Sequence, residues 1–344
     1  MDQRRGSTVT NADNPVYLVA PESTRTWLPS FIEHPTTDRI VFVGESGVAR
    51  LGPWRDRFDQ LTGQSVCILS SHDTLIRDCA LAEWLRAQGH HVCGQSRRCA
   101  NLAVDKVIMK SRFDEAGFRT PPWAHGRTAA RLARSGSMFV RKSRNGTQSV
   151  GTSLVRLPVE PLADHEFAEV YVDGVEYSVV AYVDQDREFT LPVVAKGPTS
   201  PELVPPWRRM RVCPAVDISA ETESRLRALT LAVAHAVGAE GFLEAEYIVD
   251  AWDVIHLLEI NPRVAGTMRI AAMAADVPLF SLPYSEAPPV AVPAKGYAVE
   301  VPYDGEPIVR PEQRVFATSR LTVAGRTLDV ALARLADFGA PASK

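Results

Sequence analysis

The chain has 344 residues, 45% of them apolar and 23% charged, with a net charge of -3. That length can bury a sizeable core and leaves room for more than one domain. The charge balance gives no electrostatic reason to expect nucleic acid or an anionic membrane as a partner, and no apolar run approaches the ~20 residues of a membrane span.

Residues 1–14 are polar, with no apolar stretch behind them that would read as a secretory signal, and are expected to form a disordered tail. The runs VYLVA (16–20), RIVFVG (39–44), SVCILSS (65–71) and HHVCGQ (90–95) read as buried strands. A helix starting near Asp73 separates the last two, which suggests a parallel-sheet α/β domain over 15–101. Gly44-Glu45-Ser46-Gly47 follows a strand but is not a dinucleotide fingerprint. The five cysteines (Cys67, Cys79, Cys93, Cys99 and Cys213) lack C-x-x-C spacing and sit mostly in apolar stretches. They read as buried reduced thiols and, without a leader, favour the cytoplasm.

A second module is expected over 102–186. It opens with a helix over 105–118, stopped by Gly117 and the prolines at 121 and 122, and continues with the strands MFVRKS, TSLVRLP, FAEVYV and VEYSVVAYV. The Asp173-Gly174 dipeptide predicts that the last two form a hairpin. A third module over 187–344 holds the strand EFTLPVVAK, a Pro-rich loop (198–206), a helix over 219–238 and a hairpin over 241–262. A short helix, a β-rich end and a helix over 327–339 complete it.

The hairpin carries the chemistry. If Trp252 and Asp253 form its turn, Glu246 faces Glu259 and Glu244 faces Asn261, all four on one face of the sheet. His256 then falls on the opposite face. Like charges so placed repel by ~4 kcal/mol at ~4 Å with an effective dielectric near ~20, so the pattern calls for a cation. Oxygen ligands without His or Cys point to magnesium, with manganese as the open alternative.

Glu246 followed by Glu259-Ile260-Asn261-Pro262-Arg263 resembles the magnesium segment of the ATP-grasp family. The resemblance covers roughly 102–340. It implies an α/β (α+β) ATP-grasp fold, with an N-terminal parallel-sheet domain, a central nucleotide clamp and a C-terminal antiparallel-sheet catalytic domain ending in a small subdomain. By that similarity Glu246, Glu259 and Asn261 would hold magnesium against the ATP phosphates. Arg263 would steady the transferring phosphoryl. Lys106 resembles the family's first ATP lysine. Lys142 enters a loop resembling the family's phosphate loop at Gly146, Ser149 and Gly151, with Ser143 where proline is common. Glu169-Val170-Tyr171-Val172 resembles an adenine hinge, with the backbone of Val170 and Val172 on the base, and Glu176 the ribose acid. Glu169 and Glu176 would share a wall across the Asp-Gly turn. Arg211 is a phosphate or substrate contact by similarity, with Lys196 a weaker one. Glu244 could take a substrate amine and Arg269 a substrate carboxylate.

The implied activity is ATP-dependent amide formation between a small carboxylate and a small amine through an acyl-phosphate, with amino-acid or peptide-like substrates expected. Carboxylating or purine-pathway relatives, and a non-catalytic ATP-binding regulator, are the alternatives. A homodimer is left open.

Overall fold

The structure, a computed structural model, describes residues 16–20, 41–43, 58, 61–126, 132, 138–146, 151–156, 162–285 and 289–338. The tail expected over 1–14 and the loop residue Ser149 lie outside the described residues.

Four short strands, β1 (Val16–Val19), β2 (Val41–Val43), β3 (Ser65–Ile68) and β4 (His91–Cys93), form a parallel sheet in the order β2-β1-β3-β4. Helix α1 (Leu75–Ala87) connects β3 to β4 and buries Leu75, Cys79, Leu81 and Leu85, the face that its sequence pattern predicts. Helix α2 (Arg97–Ala103), capped by the Ser96 hydroxyl, was not foreseen from the sequence. Helix α3 (Lys106–Glu115) starts at Asp105, whose carboxylate accepts from the Val107 and Ile108 N–H groups. That side-chain cap satisfies backbone donors that have no partner inside the helix.

A small antiparallel sheet follows: β5 (Trp123–His125), β6 (Met138–Ser143), β7 (Ser153–Arg156) and β8 (Glu166–Val170), in the order β5-β8-β6-β7. The remaining strands make one large sheet: β9 (Gly174–Val183), β10 (Glu188–Thr190), β11 (Val194–Pro198), β12 (Arg211–Cys213), β13 (Gly241–Asp250), β14 (Ile255–Asn261), β15 (Tyr297–Pro302), β16 (Ile308–Arg310), β17 (Val315–Ala317) and β18 (Arg320–Gly325). Its order is β14-β13-β9-β11-β12-β15-β18-β17-β16, with β10 paired to β9. Strand β9 is buried on both faces. Tyr177 and Val179 pack towards α4 (Ala220–Val237), whereas Val180 and Tyr182 pack with residues of α5 (Met268–Ala275) and of the parallel sheet. Helix α4 is bounded as expected, by the Ser219 hydroxyl at its start and by left-handed Gly238 (φ 66°) at its end. Helix α6 (Leu328–Ala336) closes the chain, capped by Thr327.

The expected hairpin about Asp173-Gly174 does not form. Strand β8 has β5 and β6 as neighbours, β9 has β13 and β11, and so neither has an edge left for the other. Gly174 does not take a positive φ. It is required instead by close approach, since a Cβ there would sit 2.3 Å from the Val249 carbonyl oxygen. The segment 171–173 thus joins two sheets, and the large sheet begins at Gly174 rather than at the boundary expected near 187.

Candidate active site

A cavity of about 700 Å³ opens between the small and large sheets. Its lining includes most of the residues singled out from the sequence: Lys106, Lys142, Gly146, Glu169, Val170, Val172, Glu176, Lys196, Arg211, Glu244, Glu246, Glu259, Asn261 and Arg263. Arg269 is not among them.

The carboxylate wall is the hairpin β13–β14, with Glu244 opposite Asn261 and Glu246 opposite Glu259. The route to that register differs from the expected two-residue turn. Asp250 N–H donates to the Val254 carbonyl at 3.1 Å, leaving a three-residue loop whose last residue, Asp253, has φ 58°. Such a loop alone would shift the pairing by one. The shift is undone by a bulge: Tyr247 pairs with Leu257 and Glu246 with Glu259, leaving Leu258 unpaired. Between loop and bulge the facing of β14 is therefore inverted. His256 lies opposite Ile248 with its Nε2 3.1 Å from the Asp250 carboxylate, on the carboxylate face and not on the opposite one.

Each carboxylate on this wall meets a cation or a hydrogen-bond donor. Lys196 pairs with Glu246 at 2.5 Å and Lys106 with Glu259 at 2.7 Å. The Asn261 amide nitrogen donates to both Glu244 and Glu246 at 3.1 Å, and its oxygen faces Arg263 at 3.4 Å. The Thr267 hydroxyl donates to Glu244. Burial pushes the Glu246 carboxyl up to about 7, because the like charges of Glu244 and Glu259 reinforce it and Lys196 only partly offsets it. Glu259 goes the other way. Burial opposes its ionisation, yet Lys106, Lys142 and Lys196 hold it near 2. On this wall three carboxylates, Glu244, Glu246 and Glu259, thus face two directly paired lysines, Lys106 and Lys196.

This donor set fits magnesium. All its oxygens are hard ligands; among the described residues no group of three or more His, Cys, Asp or Glu is by itself placed to hold a metal ion, so phosphate and water oxygens would have to complete the site. An ion held by Glu246 and Glu259, and by Asn261 once its amide turns its oxygen from Arg263 towards them, would draw its remaining ligands from phosphate and water.

Across the cavity, Lys142 and the fully buried Lys110 share Glu169, with Lys110 at 3.0 Å. These two cations outweigh burial and hold Glu169 near 2. At the sheet junction the Val170 N–H is committed to the Pro122 carbonyl (2.8 Å) and that of Tyr171 to Met138 (3.0 Å). Only its carbonyl therefore leaves Val170 a route to a base edge. Among the described residues no backbone partner claims the Val172 N–H. Glu169 and Glu176 both line the cavity, but from two sheets rather than across one turn, and Glu176 pairs with Arg209 at 2.6 Å.

The far wall holds a cluster that the sequence did not announce. Glu300 is fully buried and gathers Arg211 (3.0 Å), Arg269 (3.1 Å) and Arg320 (2.6 Å), together with the Thr322 hydroxyl (2.8 Å). Arg269, expected to meet a substrate carboxylate, is instead spent on Glu300 and the Arg320 carbonyl. Arg211 still lines the cavity, with one nitrogen on Glu300 and on the Gly266 carbonyl. Arg320 also reaches the Trp207 and Arg209 carbonyls, just past the Pro-rich loop, in a segment that lines the cavity. Arg320, Glu300 and Lys110 carried no local signal, since each gains its role from partners distant in the chain.

Residues 103–267 match the ATP-grasp domain family. The carbamoyl phosphate synthase large chain of Xylella fastidiosa is 25% identical over 239 residues, 58% of this chain and 20% of that one. The D-alanine–D-alanine ligase of Synechococcus is 27% identical over 202 residues, 53% of this chain and 60% of that one. The chain thus spans less than two thirds of either relative. Among solved structures, the N5-carboxyaminoimidazole ribonucleotide synthetase of Thermus thermophilus superposes with TM-score 0.68 at 17% identity, covering 94% of this chain and 97% of that one. The L-amino acid ligase of Bacillus licheniformis gives 0.65 at 15%, covering 95% and 97%. These likenesses establish the fold. Among the described residues no helix is long and apolar enough to cross a membrane.

Proposed function

Because this chain carries an ATP-grasp domain over residues 103–267, we propose that it is an ATP-dependent ligase that joins a carboxylate to an amine and releases ADP and phosphate. The observation that carries the reading is the register of the hairpin. Glu246 faces Glu259, with Asn261 on the same face, in the cavity that also receives Lys106 and Lys142.

In this reading the base lies against the Val172 N–H and the Val170 carbonyl, and Glu176 accepts from the ribose. Lys106 and Lys142 leave their carboxylates for the phosphates. Magnesium, held by Glu246, Glu259 and Asn261, supplies charge neutralisation when bound. A substrate carboxylate oxygen attacks the γ-phosphorus, the bond from that phosphorus to the bridging oxygen breaks, and ADP departs. The guanidinium of Arg263 stabilises charge on the transferring phosphoryl through its planar fork. The amine then attacks the acyl carbon, phosphate leaves and the amine loses a proton. Glu244 (3% exposed) on the carboxylate wall and Arg211 on the far wall give the cavity both signs of charge, which suits the two ends of an amino acid.

The similarity to the carbamoyl phosphate synthase large chain favours a second reading, a carboxylating enzyme that uses bicarbonate as the acid. A phosphate-release screen of acid and amine pairs with magnesium ATP separates the two. Amine-dependent release without added bicarbonate supports the ligase, and release that requires bicarbonate supports the second reading. Tight ATP binding with no release from any pair would instead point to a regulator. Release unchanged in Glu259→Gln would remove the hairpin from the mechanism.

A further inference from the structure

Lys110 has no part in the chemistry above, yet it is one of the largest fully buried side chains in the molecule, 1% exposed. It follows Lys106 by four residues on α3, so both side chains leave the same helix face. Lys106 reaches Glu259. Lys110 pairs with Glu169 Oε2 at 3.0 Å and donates to the Leu257 carbonyl at 3.4 Å. The other Glu169 oxygen holds Lys142.

Leu257 sits where the hairpin register is decided. Strand β14 is the edge of the large sheet, and in an antiparallel ladder alternate residues turn N–H and C=O outward. Leu257 sends its N–H to the Arg119 carbonyl at 2.9 Å and its carbonyl to Lys110. Both outward groups are therefore fastened to α3 and to the segment that follows it, immediately before the unpaired Leu258. An apolar side chain would fill the Lys110 site at lower desolvation cost. What the ammonium adds is a physical connection between the nucleotide clamp and the bulge.

We infer that Lys110 is a positioning residue: by bridging Glu169 to the Leu257 carbonyl it holds the bulge that sets Glu259 opposite Glu246. Filling of the clamp and the geometry of the carboxylate wall then depend on each other. The inference rests on reading the hairpin as the magnesium–nucleotide site.

Two measurements test it. In nucleotide-free protein, the amides of 257–259 are expected to exchange with deuterium at least about tenfold faster in Lys110→Met, and to change less than about threefold in Lys142→Met, which removes the other cation on Glu169. By calorimetry, the tightening of ADP binding by magnesium should fall about tenfold or more in Lys110→Met, with magnesium-free affinity kept within about threefold. Lys110→Arg should recover most of the tightening. The double variant Lys110→Met/Glu169→Gln removes both buried charges and guards against unfolding; it should show the same faster exchange at an unchanged Tm. Unchanged exchange at 257–259, or an equal loss of ADP affinity with and without magnesium, overturns the inference. Wild-type ADP binding that ignores magnesium overturns the functional reading and the magnesium half of the inference, and the exchange result then decides the clamp on the bulge alone.

Discussion

Two carboxylate clusters on the large sheet are neutralised in opposite ways. On the hairpin, Glu246 and Glu259 each meet one lysine, and their side chains stay 17% and 25% exposed on the cavity wall. Around Glu300, fully buried, three guanidinium groups and a threonine hydroxyl close in from two strands and a helix. A lysine ammonium is a point charge on a flexible stem and can exchange one partner for another, whereas arginine forks fix geometry. In the proposed function the first cluster is the one a ligand would rearrange. The second fixes its geometry through arginine forks and, through Arg320, holds the cavity-lining segment at Trp207 and Arg209.

The largest effect that would sharpen this contrast is expected at the closed cluster. Glu300→Gln leaves buried guanidinium charge without its counter-ion and should destabilise the fold by about 3–5 kcal/mol, seen as a lower denaturant midpoint. A cost below about 1 kcal/mol would show that the cluster is not the rigid partner in the comparison. At the open cluster the ranking reverses. Glu259→Gln should slow turnover by about a hundredfold or more, some 2.7 kcal/mol of barrier, with Tm nearly unchanged.

A smaller effect follows from protonation. Burial alone would raise the Glu300 carboxyl, but Arg269, Arg211 and Arg320 hold it near 2. Its folded pKa therefore lies below the unfolded value of about 4.3. The stability it contributes is present above the unfolded pKa and is lost as pH falls through the folded one. The excess stability of wild type over Glu300→Gln, measured by urea unfolding, should thus be constant near neutrality and shrink between about pH 4.5 and 2. A gap that does not narrow would mean that Glu300 is not ionised in the fold. The smallest effect is expected at the hairpin tip, where Trp252 is 84% exposed. Trp252→Ala should change stability by less than about 0.5 kcal/mol and leave turnover unaltered, because loop and bulge set the register without it.

The sequence made the facing of Glu246 and Glu259 legible because side chains alternate along a strand and the site lies close to one turn. It did not reveal that a three-residue loop and a bulge at Leu258 cancel. Leu258 has no bulge signature of its own, and the groups that fasten Leu257 come from Arg119 and Lys110, far away in the chain. The Asp173-Gly174 dipeptide misled for a related reason. A turn rule is local, while the partners of β8 and β9 are not, and Gly174 is needed for contact with Val249 rather than for a turn. The parallel N-terminal sheet, the helix over 219–238 and its caps were readable because pattern and packing agree there. Arg269 looked like a surface or substrate arginine only because Glu300, its partner, lies on another strand.

In the proposed function, the Glu246–Glu259–Asn261 wall holds the magnesium that accompanies ATP. Calorimetric titration of a non-hydrolysable ATP analogue, with and without magnesium, into wild type and Glu259→Gln decides it. Wild type should bind at least about tenfold more tightly with magnesium, and Glu259→Gln should lose that gain while keeping its magnesium-free affinity within about threefold. A magnesium gain that survives intact in Glu259→Gln would contradict the account.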